Sequence, residues 1–223
     1  MDAIILAAGL GKRAKLNYPK QYFRLAGKPL IIIILDLFLK IKEINNIIVV
    51  VIPGIISEFE ELLKSYYFNL SKIKIVEGGN IRQESVLNGL RLVETERVLI
   101  HEAVRPFITK QHVLDLIGID SDVVVPCVSI VPTISTKDGK YIDRDILVNV
   151  QLPQVFNTDI LKKAHYKALE KDYSDDSSLV WSELGIKPIF IKGLEENIKI
   201  TTPIDIKVSE VLYEELSDNN WWV

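Results

Sequence analysis

The stretch Ala7-Ala8-Gly9-Leu10-Gly11-Lys12-Arg13, followed by Pro19-Lys20-Gln21-Tyr22, sets small residues beside two fixed cations. Alanine and glycine let backbone N–H groups come close to a phosphate or a base. Arg13 and Lys20 would then add positive charge to the same loop. The string is not the dinucleotide fingerprint G-x-G-x-x-G, since no third glycine follows at that spacing. Nor is it a phosphate loop, which needs Gly-Lys-Ser/Thr. For the glycines alone, a tight strand-to-helix turn with solvated charges is the better reading.

More cations sit beside loop signals further along. Arg82 follows Gly78-Gly79, Arg105 closes His101-Glu102-Ala103-Val104-Arg105-Pro106, Arg144 follows Asp143, and Lys199 lies in Asn197-Ile198-Lys199-Ile200-Thr201. If these converge with Arg13 and Lys20, they could bring two polyanions together. Otherwise they are scattered surface charges, as most Lys and Arg are. His101 and His165 are expected to be packed or exposed histidines, not general bases. Asp175-Asp176 reads as a helix N-cap pair or as a contact to a substrate hydroxyl.

These residues need elements to position them. Ala3–Ala7 reads as a strand buried on both faces, the kind found in parallel sheets. Ile47–Ile52, Lys74–Glu77, Val98–His101 and Val123–Pro126 repeat the pattern. Helices are expected between them: Leu30–Lys40, Glu58–Tyr66 capped by Ser57, Gln83–Val93, and one from Thr109 through Ile117. The isoleucines of Leu30–Lys40 would equally allow a strand. The alternation predicts an α/β fold with a mostly parallel sheet and helices on both faces. Beyond it, residues 129–150 read as an inserted β-arm around a Lys137-Asp138-Gly139-Lys140 hairpin turn. Helices Asp159–Leu169 and Ser177–Leu184, a strand Pro188–Ile191, and a helix from Thr202-Pro203 to Leu216 complete the chain. One domain over 1–223 is expected, with a fraying tail around Trp221 and Trp222.

Composition narrows the classes. The chain has 223 residues, 48% hydrophobic and 26% charged, with a net charge of −3. That is a globular balance, and it excludes a bulk electrostatic nucleic-acid binder. A single cysteine, Cys127, allows neither an intrachain disulfide nor a Cys-based zinc site. The apolar run Leu30–Leu39 is broken by Asp36 and is shorter than the roughly 20 residues a membrane span needs. The N-terminus lacks a basic region before its apolar residues, so a signal peptide is not expected. These features suit the cytoplasm.

Taken in order, the motifs A-A-G-x-G-x-R…P-K-Q-Y, Gly78-Gly79-Asn80-Ile81-Arg82-Gln83-Glu84-Ser85-Val86, His101 to Pro106, Asp143-Arg144, Gln151-Leu152-Pro153-Gln154, Asp175-Asp176-Ser177-Ser178 and Asn197 to Thr201 resemble one family. It is the 2-C-methyl-D-erythritol 4-phosphate cytidylyltransferase family, the polyol-phosphate cytidylyltransferases, which include ribitol-5-phosphate cytidylyltransferase. The resemblance covers essentially Ala3 to Glu210. It implies a Rossmann-like nucleotidyltransferase fold and transfer of CMP from CTP to a polyol phosphate, with methylerythritol phosphate the first choice of acceptor. Ribitol phosphate is the alternative, and a catalytically silent nucleotide-binding homologue is a second one. By resemblance, Arg13, Lys20 and Lys199 would be catalytic. Ala7, Ala8, Gly9, Gly11, Gly79, Arg82, Ser85, Ala103 and Arg105 would bind CTP. Arg144, Asp176 and Thr133 would bind the acceptor, with Arg144 reaching across a homodimer. Mg²⁺ would be held mainly by CTP phosphates, Glu102 being the one candidate protein ligand. Glu102 stands where the family has Asp, Pro132 where it has Asp, and Leu152 where it has Thr.

Overall fold

Side-chain alternation along β1 (Asp2–Ala7) sorts the two apolar cores on either face of the main sheet, beside a third cluster around Phe23, Leu30 and Phe107. Ala3, Ile5 and Ala7 face one core, Ile4 the other, and all four are buried, as the period of two in a strand dictates. The computed structural model describes residues 1–9, 19–168, 171, 173–218 and 221. After β1 come a small ribbon of β2 (Arg24–Leu25) and β3 (Lys28–Pro29), α1 (Leu30–Leu39), β4 (Ile47–Val51), α2 (Ile56–Tyr66), β5 (Ile73–Glu77), α3 (Arg82–Leu90), β6 (Arg97–Glu102), α4 (Lys110–Ile117) and β7 (Val123–Ser129). The second part holds β8 (Ile134–Ser135), β9 (Tyr141–Ile142), β10 (Val148–Val150), β11 (Gln154–Asn157), α5 (Thr158–Lys167), α6 (Asp176–Leu184), β12 (Ile189–Lys192) and α7 (Pro203–Asp218).

The main sheet runs β10-β7-β11-β6-β1-β4-β5, with β12 also paired to β7. β5, β4, β1 and β6 are parallel neighbours, in a register that aligns Glu77 with Val51, Val51 with Ala7, and Leu6 with Glu102. Four carboxyl ends therefore finish on one edge, which is where open α/β sheets bind ligands. α1, α2 and α4 cover one face and α3, α5 and α6 the other. α1 is helical despite its isoleucines, because Leu30 to Leu35 are all buried, and burial on every side outweighs β propensity.

Two local expectations are corrected. Ser57 is not the cap of α2: the helix starts at Ile56, and Ile55 holds the cap position without a side-chain bond. Sequence alternation also omitted β11, which enters antiparallel between β6 and β7. Its four residues are too few to show a period, but Val155 and Phe156 fill opposite faces of the sheet. The arm hairpin is where expected: β8 pairs with β9 in a separate ribbon, turned at Gly139 with φ +92.

Candidate active site

Gln21 fixes the mouth of the first loop. Its buried Nε2 donates to the Ala7 carbonyl at 2.6 Å, so the Pro19-Lys20-Gln21 end of the loop returns to the end of β1. Arg13 and Gly11 lie outside the described residues, as does the side chain of Lys20, whose backbone opens a 3₁₀ turn to Tyr22. Gly78 crosses this edge under tight constraint. Its N–H donates to Val51 at 2.7 Å, and a methyl group added there would sit 2.5 Å from Ala8 Cβ. The next two N–H groups are held by side chains of α3: Gly79 N donates to Ser85 Oγ at 3.0 Å and Asn80 N to Glu84 Oε2 at 2.6 Å. Ala7, Ala8, Gly9, Gly79, Arg82 and Ser85 thus converge on one cavity of about 630 Å³. The Ser85 hydroxyl is spent on this loop, since it also donates to the Ile81 carbonyl at 3.1 Å.

A second cavity, of about 1120 Å³, adjoins the first. Arg82, Glu102 and Lys199 line both. At this junction Lys199 Nζ lies 2.9 Å from Glu102 Oε1 and 2.8 Å from Oε2, Arg105 Nε 3.5 Å from Oε2, and Arg82 Nε 3.8 Å from Oε1. Burial alone would raise the Glu102 carboxyl, but Lys199, Arg82 and Arg105 outweigh it and hold it below the usual carboxylate range. Lys199 is placed by backbone pairing of Ile200 N to the Val104 carbonyl at 2.9 Å. The motif around Leu152 steadies the same segment. Asn197 Nδ2 donates to the Leu152 carbonyl at 2.6 Å, and Gln151 Nε2 to the Leu194 carbonyl at 2.8 Å. Gln21, Gln151 and Asn197 stand in motifs quoted from the sequence, which assigned them no role; their contacts make them positioning groups.

Several expected site residues fall elsewhere. Ala103 is fully buried and gives its N–H to Leu6 at 3.0 Å, so it belongs to the core. Arg105 lines the second cavity, not the first, with Nη1 donating to the Asn197 carbonyl at 2.9 Å. Asp176 is 0% exposed, and its oxygens engage Arg82 Nη2 at 2.7 Å and His165 Nε2 at 3.0 Å. That closes it to a substrate hydroxyl; Asp175 alone caps α6, accepting from Ser178 N at 3.0 Å. Burial works against ionisation of Asp176, but Arg82 and His165 prevail and draw its carboxyl down to about 2. Thr133 and Arg144 are exposed on the arm and line neither cavity. The Arg144 guanidinium donates to the Val131 carbonyl. His101 is buried against Arg105 O at 3.0 Å, and burial pushes its pKa down to about 3, which disqualifies it as a base near neutral pH.

Among the described residues no cluster of His, Cys, Asp or Glu could hold a metal by itself. The junction offers one carboxylate, Glu102, and Mg²⁺ favours phosphate and water oxygens over an all-protein cage. That donor set fits a cation carried mainly by a nucleotide. No described helix is long and apolar enough to cross a membrane.

A mostly parallel α/β sheet, a small-residue loop at the carboxyl end of its first strand, and two cavities meeting at a charged junction suit an enzyme that joins two phosphorylated ligands, and the family match makes the chain a nucleotidyltransferase. The sequence model of the 2-C-methyl-D-erythritol 4-phosphate cytidylyltransferase family matches residues 1–215, and the chain belongs to that family. A relative of that name from Geobacillus kaustophilus is 38% identical, covering 95% of this chain and 96% of its own. One from Bacteroides fragilis is 36% identical over 94% of this chain and 98% of its own. Among solved structures, 4-diphosphocytidyl-2C-methyl-D-erythritol synthase from Anaerococcus prevotii superposes with a TM-score of 0.83 at 28% identity, over 96% of this chain and 95% of that one. The bifunctional IspDF of Campylobacter jejuni gives 0.80 at 28% identity, over 93% of this chain and 53% of that one.

Proposed function

We infer that this chain transfers CMP from CTP to 2-C-methyl-D-erythritol 4-phosphate, releasing pyrophosphate, in isoprenoid precursor synthesis. The observation that carries this reading is the shared wall of Arg82, Glu102 and Lys199 between two cavities. CTP occupies the smaller cavity and the acceptor phosphate the larger one. Its oxygen is ionised near neutral pH and attacks the α-phosphorus directly, and pyrophosphate departs in line. No general base is needed, which agrees with buried His101 and His165. The work left to the protein is positioning and charge stabilisation. Lys199 faces the charge that develops at the α-phosphorus, and Arg13 and Lys20 hold the triphosphate in the role that the family resemblance gives them. A divalent cation, Mg²⁺ in this reading, would be held through CTP phosphates with Glu102 beside it, and would neutralise charge on the leaving pyrophosphate.

The functional unit is a homodimer in the cytoplasm, on this reading. The arm exposes Val131, Tyr141 and Ile146 at 73%, 76% and 76%, apolar area that a second copy would cover. Arg144 and Thr133, which line neither cavity of their own chain, then serve the neighbour's acceptor cavity. Ribitol phosphate as acceptor and a silent homologue gain nothing from the relatives cited, all of which carry the methylerythritol phosphate or diphosphocytidyl-methylerythritol name or the IspDF one.

Nucleotide choice tests the smaller cavity. Its wall at Gly79 is tight, since a methyl group added there would meet Glu84 Cβ at 2.2 Å, so CTP is expected to support turnover and ATP and GTP are not. Equal pyrophosphate release from ATP would overturn the assignment of this cavity to cytosine.

A further inference from the structure

We propose that Asp176 is a positioning residue that aims the Arg82 guanidinium at the junction of the two cavities, with His165 holding Asp176 from behind. The proposal rests on the reading of that junction as the reaction centre and adds residues that touch neither substrate. Arg82 is the first residue of α3, and the turn before it has no side-chain cap of its own at Ile81. A long side chain there has many rotamers, and only some lie across both cavities. Asp176 removes that freedom: one oxygen takes Arg82 Nη2 at 2.7 Å and the other takes His165 Nε2 at 3.0 Å.

The surroundings argue against a mere cap or a chance ion pair. Capping of α6 is already done by Asp175, whose carboxylate accepts from Ser178 N, Ser177 Oγ and Gln154 Nε2. Asp176 is 0% and His165 2% exposed. A carboxylate buried to that degree is costly unless it is fully partnered, and its partners point to Arg82. The residue after Arg82 is tied to the same region. Gln83 Nε2 donates to the Ala168 carbonyl at 3.2 Å, and Tyr173 N donates to Gln83 Oε1 at 3.0 Å. The start of α3 is therefore gripped at two consecutive residues by the α5 and α6 region. Glu102 offers Arg82 only a longer contact, 3.8 Å from Nε, so Asp176 sets its direction.

A double-mutant cycle tests this, with pyrophosphate release measured for folded wild type, Asp176→Asn, Arg82→Gln and the pair together. Asp176→Asn should lower kcat and raise the KM for CTP, reducing kcat/KM about ten-fold, a coupling of the size seen between contacting residues. In the Arg82→Gln background the same change should cost less than about two-fold, because its target is gone. A purely structural Asp176 would lower the melting temperature and leave kcat and KM of the folded enzyme unchanged. That result overturns the proposal, as do equal losses in both backgrounds and wild-type turnover by Arg82→Gln. If Asp176→Asn does not fold, His165→Gln replaces it in the cycle: a loss seen only when Arg82 is present supports the proposal, and equal losses or none refute it. Absence of pyrophosphate release by the wild type with any acceptor would be failure of the underlying reading, visible before any variant is made.

Discussion

Gly78 has no room for a side chain: a methyl group there would press on Ala8 Cβ at 2.5 Å and on Ser85 Oγ at 2.9 Å, with backbone on a third side. Gly78→Ala is therefore expected to push the first loop and the Gly79 turn apart. Calorimetric CTP affinity should fall at least about ten-fold, with a stability loss of about 1–3 kcal/mol from overpacking; unchanged affinity would contradict this account. Asp176 gives a pH prediction with a definite sign. Its carboxyl is drawn down to about 2 in the folded state, so its contribution to stability is complete above the unfolded carboxylate value of about 3.9 and is lost as pH falls toward 2. Denaturant titrations between about pH 5 and 2 should show a shallower decline for Asp176→Asn than for wild type. Arg82 and Lys199 were visible in the sequence as cations beside loop signals, and Ser85 through the family resemblance; the structure brings all three to the walls of the two cavities. Asp176 was legible as important and wrongly aimed, because a sequence does not say that its neighbour Asp175 takes the cap and turns it inward.

Among the elements, the parallel strands were plain in the sequence because burial on both faces leaves unbroken apolar runs, as in Ile47–Val51. β11 was not, because four residues carry no period and its place between β6 and β7 depends on a chain returning from the arm. That return has a function: it carries Gln154, which donates to Asp175 at 2.7 Å, and so links the sheet to the start of α6. Asp175→Ala removes both the cap and this link. It is expected to destabilise the protein by at least about 1 kcal/mol, the usual worth of an N-cap. Because α6 also delivers Asp176, kcat/KM should drop along with the melting temperature. Full activity in a destabilised but folded Asp175→Ala protein would separate the cap from the site.

For the molecule as a whole, the proposed crossing of arms makes each acceptor site a joint product of two chains. Mixing Arg144→Ala with Lys20→Ala protein, each nearly inactive alone, should restore part of the activity once subunits exchange, since one site per mixed dimer then has both residues intact. No recovery despite proven exchange would return Arg144 to its own chain. Burial along the arm was not legible, since exposed apolar residues such as Val131 and Ile146 look no different in sequence from core ones. On the proposed reading, the two cavities meeting at Arg82, Glu102 and Lys199 join CTP to a methylerythritol phosphate. The most direct test of that reading is pyrophosphate release from CTP by the wild-type protein with Mg²⁺ and either 2-C-methyl-D-erythritol 4-phosphate or ribitol 5-phosphate. Rapid, stoichiometric release is expected with methylerythritol phosphate and little with ribitol phosphate; release with ribitol phosphate alone, or with neither, would overturn this reading.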